Sequence, residues 1–446
     1  MQTQAPHMHV VVGLGKTGLS CARYLRRHNM PFVAVDTRAE PPGIAEFRHE
    51  FPDVRTECGE LNDDTLSNAD TLVMSPGVDL RTPAVRRAIS RGVKVTGDID
   101  LFAKAVKAPI VAITGSNAKS TVVTLVGEMA KEAGLRTAVA GNIGTPVLDL
   151  LDDAPYALYV LELSSFQLET TTNLNAAVAT ILNMSPDHMD RYDSMQAYHR
   201  AKHRIFQGAR QAVVNRDDAL TRPLLPAAVK VTSFGVGPED SREFAVIEHD
   251  GAPHLAYERR PLIAVSELKI FGRHNVANAL AALALGRAAG LDWEPMLATL
   301  RRFPGLPHRC QWVATVGGVP WYNDSKGTNV GASVAAIVGL GSTGKVVLLA
   351  GGVGKGQSFD ELAPVMKRFG KLAILFGEDA DAIANALRGA VPVLRAESLQ
   401  DAVAQAHAQA GAGDLVLLSP ACASFDMFTN YEHRGRAFVD AVEALH

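Results

Sequence analysis

Residues 109–121 read Pro-Ile-Val-Ala-Ile-Thr-Gly-Ser-Asn-Ala-Lys-Ser-Thr, a short apolar strand that runs directly into a glycine-containing turn, with Lys119 and Ser120 opening a helix. Backbone N–H groups of such a turn and of a helix N-terminus point at an anion. The lysine adds a mobile positive charge, and the serine hydroxyl can ligate magnesium. The stretch therefore predicts a nucleotide-phosphate cradle made of Gly115, Ser116, Asn117, Ala118, Lys119, Ser120 and Thr121. The strict phosphate-loop pattern places glycines where this chain has Ile113 and Ala118, and only Gly115 suits the turn. An ordinary strand-to-helix turn with a solvated lysine is the competing reading of the same residues. Val122, Leu125, Val126, Met129 and Ala133 follow at helical spacing, and Gly134 stands where a helix C-terminus takes a left-handed residue.

Working outward, apolar strands alternate with helical stretches along the whole chain. His9–Val12, Phe32–Val35 and Thr71–Met74 form a first series, and Ile110, Ala157–Leu161 and Ala177–Leu182 belong to a second. Lys345–Ala350, Leu372–Phe376 and Leu415–Leu418 form a third. Strands separated by helices imply parallel sheets with crossover connections. At 446 residues the chain exceeds one ordinary core. The expectation is an α/β protein of three domains, each a mainly parallel sheet flanked by helices: Rossmann-like over 1–97, P-loop ATPase-like over 98–305 and Rossmann-like over 306–446. The first boundary falls before a linking helix after Gly97, the second in the breaker-rich run Arg302–Pro307.

Bulk composition narrows the partners. A formal net charge of -3 with 20% charged residues carries no basic excess of the kind nucleic-acid binders show. Cys21, Cys58, Cys310 and Cys422 are scattered without a CxxC pair, which suggests neither a zinc site nor a disulfide framework and fits the reducing cytoplasm. No apolar run is long enough to span a bilayer. The expected setting is cytoplasmic, with no nucleic acid and no membrane.

Gly13-Leu-Gly15-Lys16-Thr17-Gly18 follows a strand and opens a helix, and Asp36 ends the next strand. This is the dinucleotide fingerprint by spacing, and alone it would suggest an NAD-dependent oxidoreductase. A pyrophosphate at a helix N-terminus is equally a feature of nucleoside-diphosphate sugars, so the ligand stays open on this motif. Ser75-Pro76-Gly77 ends the third strand of the segment and faces the same crevice, where Asp36, Thr37, Arg38 and Ser75 could grip one nucleotide head group. A plain tight turn is the alternative for Ser-Pro-Gly.

Two loops of the middle segment carry further chemistry. Glu162 follows one strand and Asn183-Met-Ser-Pro-Asp187-His188 follows the next, both on the phosphate-loop side. A carboxylate and an imidazole there can share magnesium with Ser120 and phosphate oxygens. A helix-start glutamate and a packing histidine are the bland alternatives. Lys202, in Ala-Lys-His-Arg-Ile-Phe, reads by default as a solvated lysine.

In order and spacing, Thr114-Gly-Ser-Asn-Ala-Lys-Ser-Thr121, Glu162 with Ser164-Ser165, His188, Lys202, Gly272-Arg-His-Asn275-Val-Ala-Asn278 and His308-Arg309 resemble the Mur ligases. These are ATP-dependent, amide-forming enzymes of peptidoglycan synthesis, and the resemblance covers essentially the whole chain. Asn323-Asp-Ser-Lys-Gly-Thr-Asn329 and Ser419-Pro-Ala-Cys-Ala-Ser-Phe-Asp426 are similar to the branch that adds D-glutamate to UDP-N-acetylmuramoyl-L-alanine. A sister ligase adding another amino acid is the nearest alternative. Ala118 departs from the family's glycine, and Gly327 stands where alanine is usual.

The resemblance implies a role for each matching residue. Gly15, Lys16, Thr17, Asp36, Thr37, Arg38, Ser75, Pro76 and Gly77 would hold the uridine nucleotide, with Asn142 and His188 on its lactoyl-alanine arm. ATP would lie on residues 115–121, with Asn278, Arg309 and Asp324 contacting it from outside the loop. Two magnesium sites would draw on Ser120, Glu162, His188 and a carbamylated Lys202, and Lys119, Glu162, His188 and Lys202 would be catalytic. Thr328, Lys355, Ser424, Phe425 and Tyr431 would surround D-glutamate. The expected assembly state is a monomer.

Overall fold

A computed structural model describes residues 8–172, 174–237, 243–341 and 343–445. Three sheets follow one another along the chain. The first holds β1 (His9–Val12), β2 (Phe32–Asp36), β3 (Thr56–Cys58), β4 (Thr71–Met74) and β5 (Lys94–Gly97), in the order β3-β2-β1-β4-β5. All its pairings are parallel, with Val12 opposite both Val35 and Met74. The order reverses direction between β1 and β4, so the turns after Val12 and Met74 flank one crevice, the place where open parallel sheets bind ligands.

The second sheet contains β6 (Ile110–Thr114), β7 (Thr137–Gly141), β8 (Leu158–Glu162), β9 (Val178–Ile181), β10 (Gln211–Asn215), β11 (Lys230–Phe234), β12 (Phe244–His249), β13 (Ala252–Tyr257) and β14 (Arg260–Ala264). Its order is β14-β13-β12-β11-β10-β9-β6-β8-β7. From β7 to β11 the strands are parallel, and β12, β13 and β14 add an antiparallel ribbon. β6 is buried at every position between β8 and β9, as its uninterrupted apolar run requires. The third sheet runs β15 (Gln311–Val316), β16 (Val319–Asn323), β20 (Asp414–Leu418), β17 (Lys345–Gly351), β18 (Gly370–Phe376) and β19 (Val393–Arg395), parallel except for the β15–β16 hairpin. Its switch lies between β20 and β17, so the loops after Leu418 and Gly351 share a second crevice.

The helix Asp98–Ala105 joins the first two sheets. Its Ile99, Leu101 and Phe102 sit in a buried cluster fed by both, and Phe102 meets Tyr159 edge to face at 5.0 Å. Asp98 lies at the start of the same helix, 3% exposed, and burial pushes its carboxyl up to about 6. The Ala-rich helix Arg273–Ala288 packs on Lys119–Glu132, and the two share a second core with Phe234, Phe244 and Leu255.

Candidate functional site

The phosphate loop takes the shape its sequence implies. Gly115 has φ +156, Ala118 takes a left-handed φ of 67, and the helix Lys119–Glu132 begins directly after it. At that φ an L-residue costs about 1–2 kcal/mol, which is the physical reason glycine suits the position. Asn183 brackets the loop from β9: its Oδ1 accepts from the Asn117 N–H at 2.8 Å and its Nδ2 donates to the Asn117 carbonyl at 3.1 Å. Lys119 folds back, its Nζ donating to the carbonyls of Gly115 (2.8 Å) and Ser116 (2.9 Å), and burial lowers its pKa. Gly134 closes the helix at φ +79, as its position in the sequence requires.

Around the loop, residues from distant parts of the chain meet. Ser120 Oγ donates to Glu162 Oε2 at 2.6 Å and accepts from Arg309 at 2.8 Å, while Asn142 Nδ2 donates to Glu162 Oε1 at 2.9 Å. Glu162 is 2% exposed, and these partners offset the cost of burying its charge. His188 stands at φ +57 on the loop after β9, against the edge of Phe166 at 4.9 Å. Burial lowers its pKa, so the imidazole is neutral and one of its ring nitrogens is available as a ligand near neutral pH.

Lys202 overturns the solvated reading. It is 2% exposed, donates to the Gly115 carbonyl at 2.9 Å and the Thr114 hydroxyl at 3.3 Å, and lies over the Tyr198 ring at 4.8 Å. The loss of hydration and the nearby Lys119 charge push its pKa well below that of a free lysine. The helix Met195–His203 turns this basic-looking segment inward because Tyr198, Ala201 and Lys202 form its buried face.

The third sheet closes over the loop. Asn117 and Asn329 exchange amide hydrogen bonds at 3.3 and 3.1 Å, and Asn329 caps the helix Val330–Leu340 through the Ala332 N–H. Asp187 Oδ2 accepts from Asn329 at 3.1 Å, and its Oδ1 pairs with Lys355 at 3.0 Å. Although burial alone would raise it, the Asp187 carboxyl is held low by Lys355, His188 and Lys119. Lys326 lies over the Tyr431 ring at 3.7 Å, and burial brings its pKa down to about 8. Asp324, 7% exposed, accepts from Ser419 and the Cys310 N–H. Ser424 is buried beside Cys422, Thr328 is half-buried, and Phe425 stands 73% exposed. A cavity of about 410 Å³ opens beside the loop, lined by Ala118, Asn183, Asn278, Arg309, Asp324 and Lys326 among others. Asn278 is held there by its bond to Asn275 at 3.0 Å.

In the first crevice, Ser75 Oγ donates to the Gly13 carbonyl at 3.0 Å, and Asp36 takes the Leu14 N–H at 2.6 Å and the Arg38 guanidinium at 2.8 Å. Gly18 is required here, since a Cβ would overlap the Gly13 carbonyl. Asp36 is thus the anchor of the glycine turn. Lys16, Thr37, Arg38 and Gly77 are exposed around it, with Gly15, Thr17 and Pro76 partly so.

Asp187, Asn183, Arg191, Lys326 and Asn329 are site neighbours that motif reading did not single out. Four of them, all but Arg191, sit within quoted motifs, yet their partners lie up to 212 positions away in sequence, as Asn329 and Asn117 do.

Three family models match: "Mur ligase MurD-like, N-terminal domain" over residues 7–97, "Mur ligase middle domain" over 113–286, and "Mur ligase, glutamate ligase domain" over 308–422. The UDP-N-acetylmuramoylalanine–D-glutamate ligase of Pseudomonas aeruginosa is 59% identical over 441 residues, covering 98% of each chain. That of Legionella pneumophila is 52% identical over 443 residues, covering 98% of this chain and 99% of its own. Among solved structures, the UDP-N-acetylmuramate–alanine ligase of Thermotoga maritima aligns with a TM-score of 0.60 at 18% identity, over 98% of this chain and 99% of its own. A pseudomurein peptide ligase type C from Methanothermus fervidus aligns at 0.62 and 18% over 99% and 100%. At that identity the two structures bear on the fold alone, and both share it.

Proposed function

The chain belongs to the Mur ligase family, and from that premise we propose how its residues carry out the D-glutamate-adding reaction. The enzyme is an ATP-dependent ligase of peptidoglycan precursor synthesis that joins D-glutamate to UDP-N-acetylmuramoyl-L-alanine. Residues 1–97 hold the uridine nucleotide, 98–305 the ATP, and 306–446 the amino acid. The observation that carries this division of labour is the meeting of Arg309, Asn329 and Lys355 with Ser120, Asn117 and Asp187 at the phosphate loop.

A carboxylate is a poor acyl donor until one oxygen becomes a leaving group. The alanyl carboxylate oxygen attacks the γ-phosphorus of ATP, the bond to the ADP oxygen breaks, and an acyl phosphate forms. The amine of D-glutamate, having shed a proton, then attacks the acyl carbon, the C–O bond to phosphate breaks, and the amide remains. Lys119 unfolds from its own loop onto the phosphates, and Arg309 supplies a second fixed positive charge. Lys355, now on Asp187, takes a carboxylate of D-glutamate, with Thr328, Ser424, Tyr431 and the Phe425 segment around it. Asn278 and Asp324 line the ATP cavity, and Asn142 stands beside Glu162 to meet the lactoyl-alanine arm.

Ser120 and Glu162, 2.6 Å apart, fit one magnesium ion. Among the described residues no three His, Cys, Asp or Glu side chains gather as a ready-made cage. That suits magnesium, which binds through one or two protein oxygens together with phosphate oxygens and water. Bound there, magnesium would neutralise phosphate charge. His188 and Lys202 would serve the second ion, Lys202 as its carbamate. The buried amine, with its lowered pKa, favours the unprotonated form that adds carbon dioxide, and the carbamate nitrogen keeps one N–H for the Gly115 carbonyl. No helix among the described residues is long and apolar enough to cross a membrane. The working setting is a cytoplasmic monomer.

The acyl phosphate is the step to test. Enzyme incubated with ATP and UDP-N-acetylmuramoyl-L-alanine, without D-glutamate, is expected to yield a species that borohydride reduces to the corresponding alcohol. Absence of that alcohol while ligation proceeds normally would refute the two-step route.

A further inference from the structure

We propose that Arg191 is a positioning residue that fixes the distance between the nucleotide end and the reacting end of the UDP-linked substrate. The inference rests on the assignment of the first crevice to the uridine nucleotide. Arg191 follows His188 by three residues across a tight turn of the same loop, its N–H donating to the His188 carbonyl at 2.9 Å. Its side chain, 15% exposed, leaves the central domain and enters the first. There Nη1 donates to the Pro76 carbonyl at 3.2 Å and Nη2 to the Val78 carbonyl at 3.1 Å, while Nε lies 3.3 Å from Asp79 Oδ2. The face of the guanidinium lies over Phe166 at 4.2 Å. That ring meets His188 edge to face on another side and stacks with Tyr192 at 6.0 Å.

The two groups that Arg191 joins belong to opposite ends of one ligand. The carbonyls it binds lie in the turn opened by Ser75, whose hydroxyl ties that turn to Gly13 in the first crevice. The ring it stacks on buttresses His188, beside the phosphate loop. A planar fork that donates to two carbonyls while stacking on an aromatic face tolerates little sliding in any direction, which a lysine cannot reproduce. Asp79 balances the charge but is not itself part of the span. A second contact nearby, Arg81 to Asp193 at 2.8 Å, joins groups 43% and 85% exposed and holds far less.

Fixing this distance has a specific consequence for binding. UDP alone touches only the first crevice, whereas UDP-N-acetylmuramoyl-L-alanine must satisfy both ends at once, so loss of the span weakens the longer ligand selectively. Calorimetry with UDP and with UDP-N-acetylmuramoyl-L-alanine on wild type, Arg191→Ala, Arg191→Lys and Asp79→Asn tests this. Arg191→Ala is expected to weaken the full substrate about tenfold or more, within the range of ordinary coupling free energies, while UDP affinity changes little. Arg191→Lys is expected to fall between, and Asp79→Asn close to wild type. If the alanine variant does not fold, the lysine variant carries the same comparison. Equal weakening of both ligands, or none, would overturn the proposal. Failure of wild type to bind either ligand would instead overturn the assignment of the first crevice.

Discussion

Replacing Ala118 by glycine is expected to stabilise this protein, although it removes a side chain from a folded loop. Ala118 sits at φ 67 as the N-cap of the phosphate-loop helix, where an L-residue costs about 1–2 kcal/mol. Glycine relieves that strain. Its freer unfolded chain takes back about 0.4–1 kcal/mol. The Ala118 methyl also touches the core shared by the helices Lys119–Glu132 and Arg273–Ala288, though only partly buried, and its removal loses about half of the 0.8 kcal/mol of a fully buried methylene. With mid-range values for the three terms the balance favours glycine by about 0.4 kcal/mol, or roughly 1–2 °C for a domain of this size. Ala118→Val is the amplified opposite, because a β-branched residue at positive φ is a true outlier. Urea titrations followed by tryptophan fluorescence should rank the variants glycine, alanine, valine. A valine variant as stable as wild type, or a glycine variant less stable than wild type, would refute the strain argument.

Three further predictions follow from the site and its surroundings. Lys202→Ala should abolish most activity, and acetate or formate should partly restore it by placing a carboxylate in the vacated space; a fully active alanine variant would remove the carbamate from the account. Lys355→Ala should raise the KM for D-glutamate with little change in that for ATP, since it loses a charge-assisted partner for a carboxylate; equal losses for both substrates would contradict the assignment. Asp98 gives a pH dependence of definite sign. Its folded pKa, about 6, lies above the ordinary carboxyl value of 3.8. Its contribution is therefore full below 3.8 and is lost as pH rises through about 6. Asp98→Asn should flatten the stability profile across that window and be at least as stable as wild type above it, read by denaturant midpoints at several pH values; an unchanged slope would contradict this.

The parallel strands and the phosphate loop were legible because their signals are local. β1 and β4 have the bounds that hydrophobic runs predict, β2 differs by one residue at one end, β8 and β9 by one residue at each end, and Gly134 marks the helix end. The ribbon β12–β14 left no comparable trace. Only five of its strands' seventeen residues are buried, and they carry Pro253 and Pro261, which local reading assigns to edges or loops. The default reading of Lys202 as a solvated lysine fails because its neighbours Arg200, His203 and Arg204 look like a solvated face, and only packing against the back of the phosphate loop buries it. Asp187, Arg191 and Asn329 act through partners on other sheets, and one sequence without its fold holds no record of such contacts.

The central claim is that three parts of the chain assemble one site for ATP, a UDP-linked carboxylate and D-glutamate. Phosphate release with UDP-N-acetylmuramoyl-L-alanine and ATP, measured across a panel of amino acids with mass analysis of the products, tests it most directly. Release dependent on D-glutamate, with a product heavier by one glutamyl residue, is the predicted result. Faster release with L-alanine, a diamino acid or L-glutamate, or release that ignores the UDP-linked acceptor, would contradict the account.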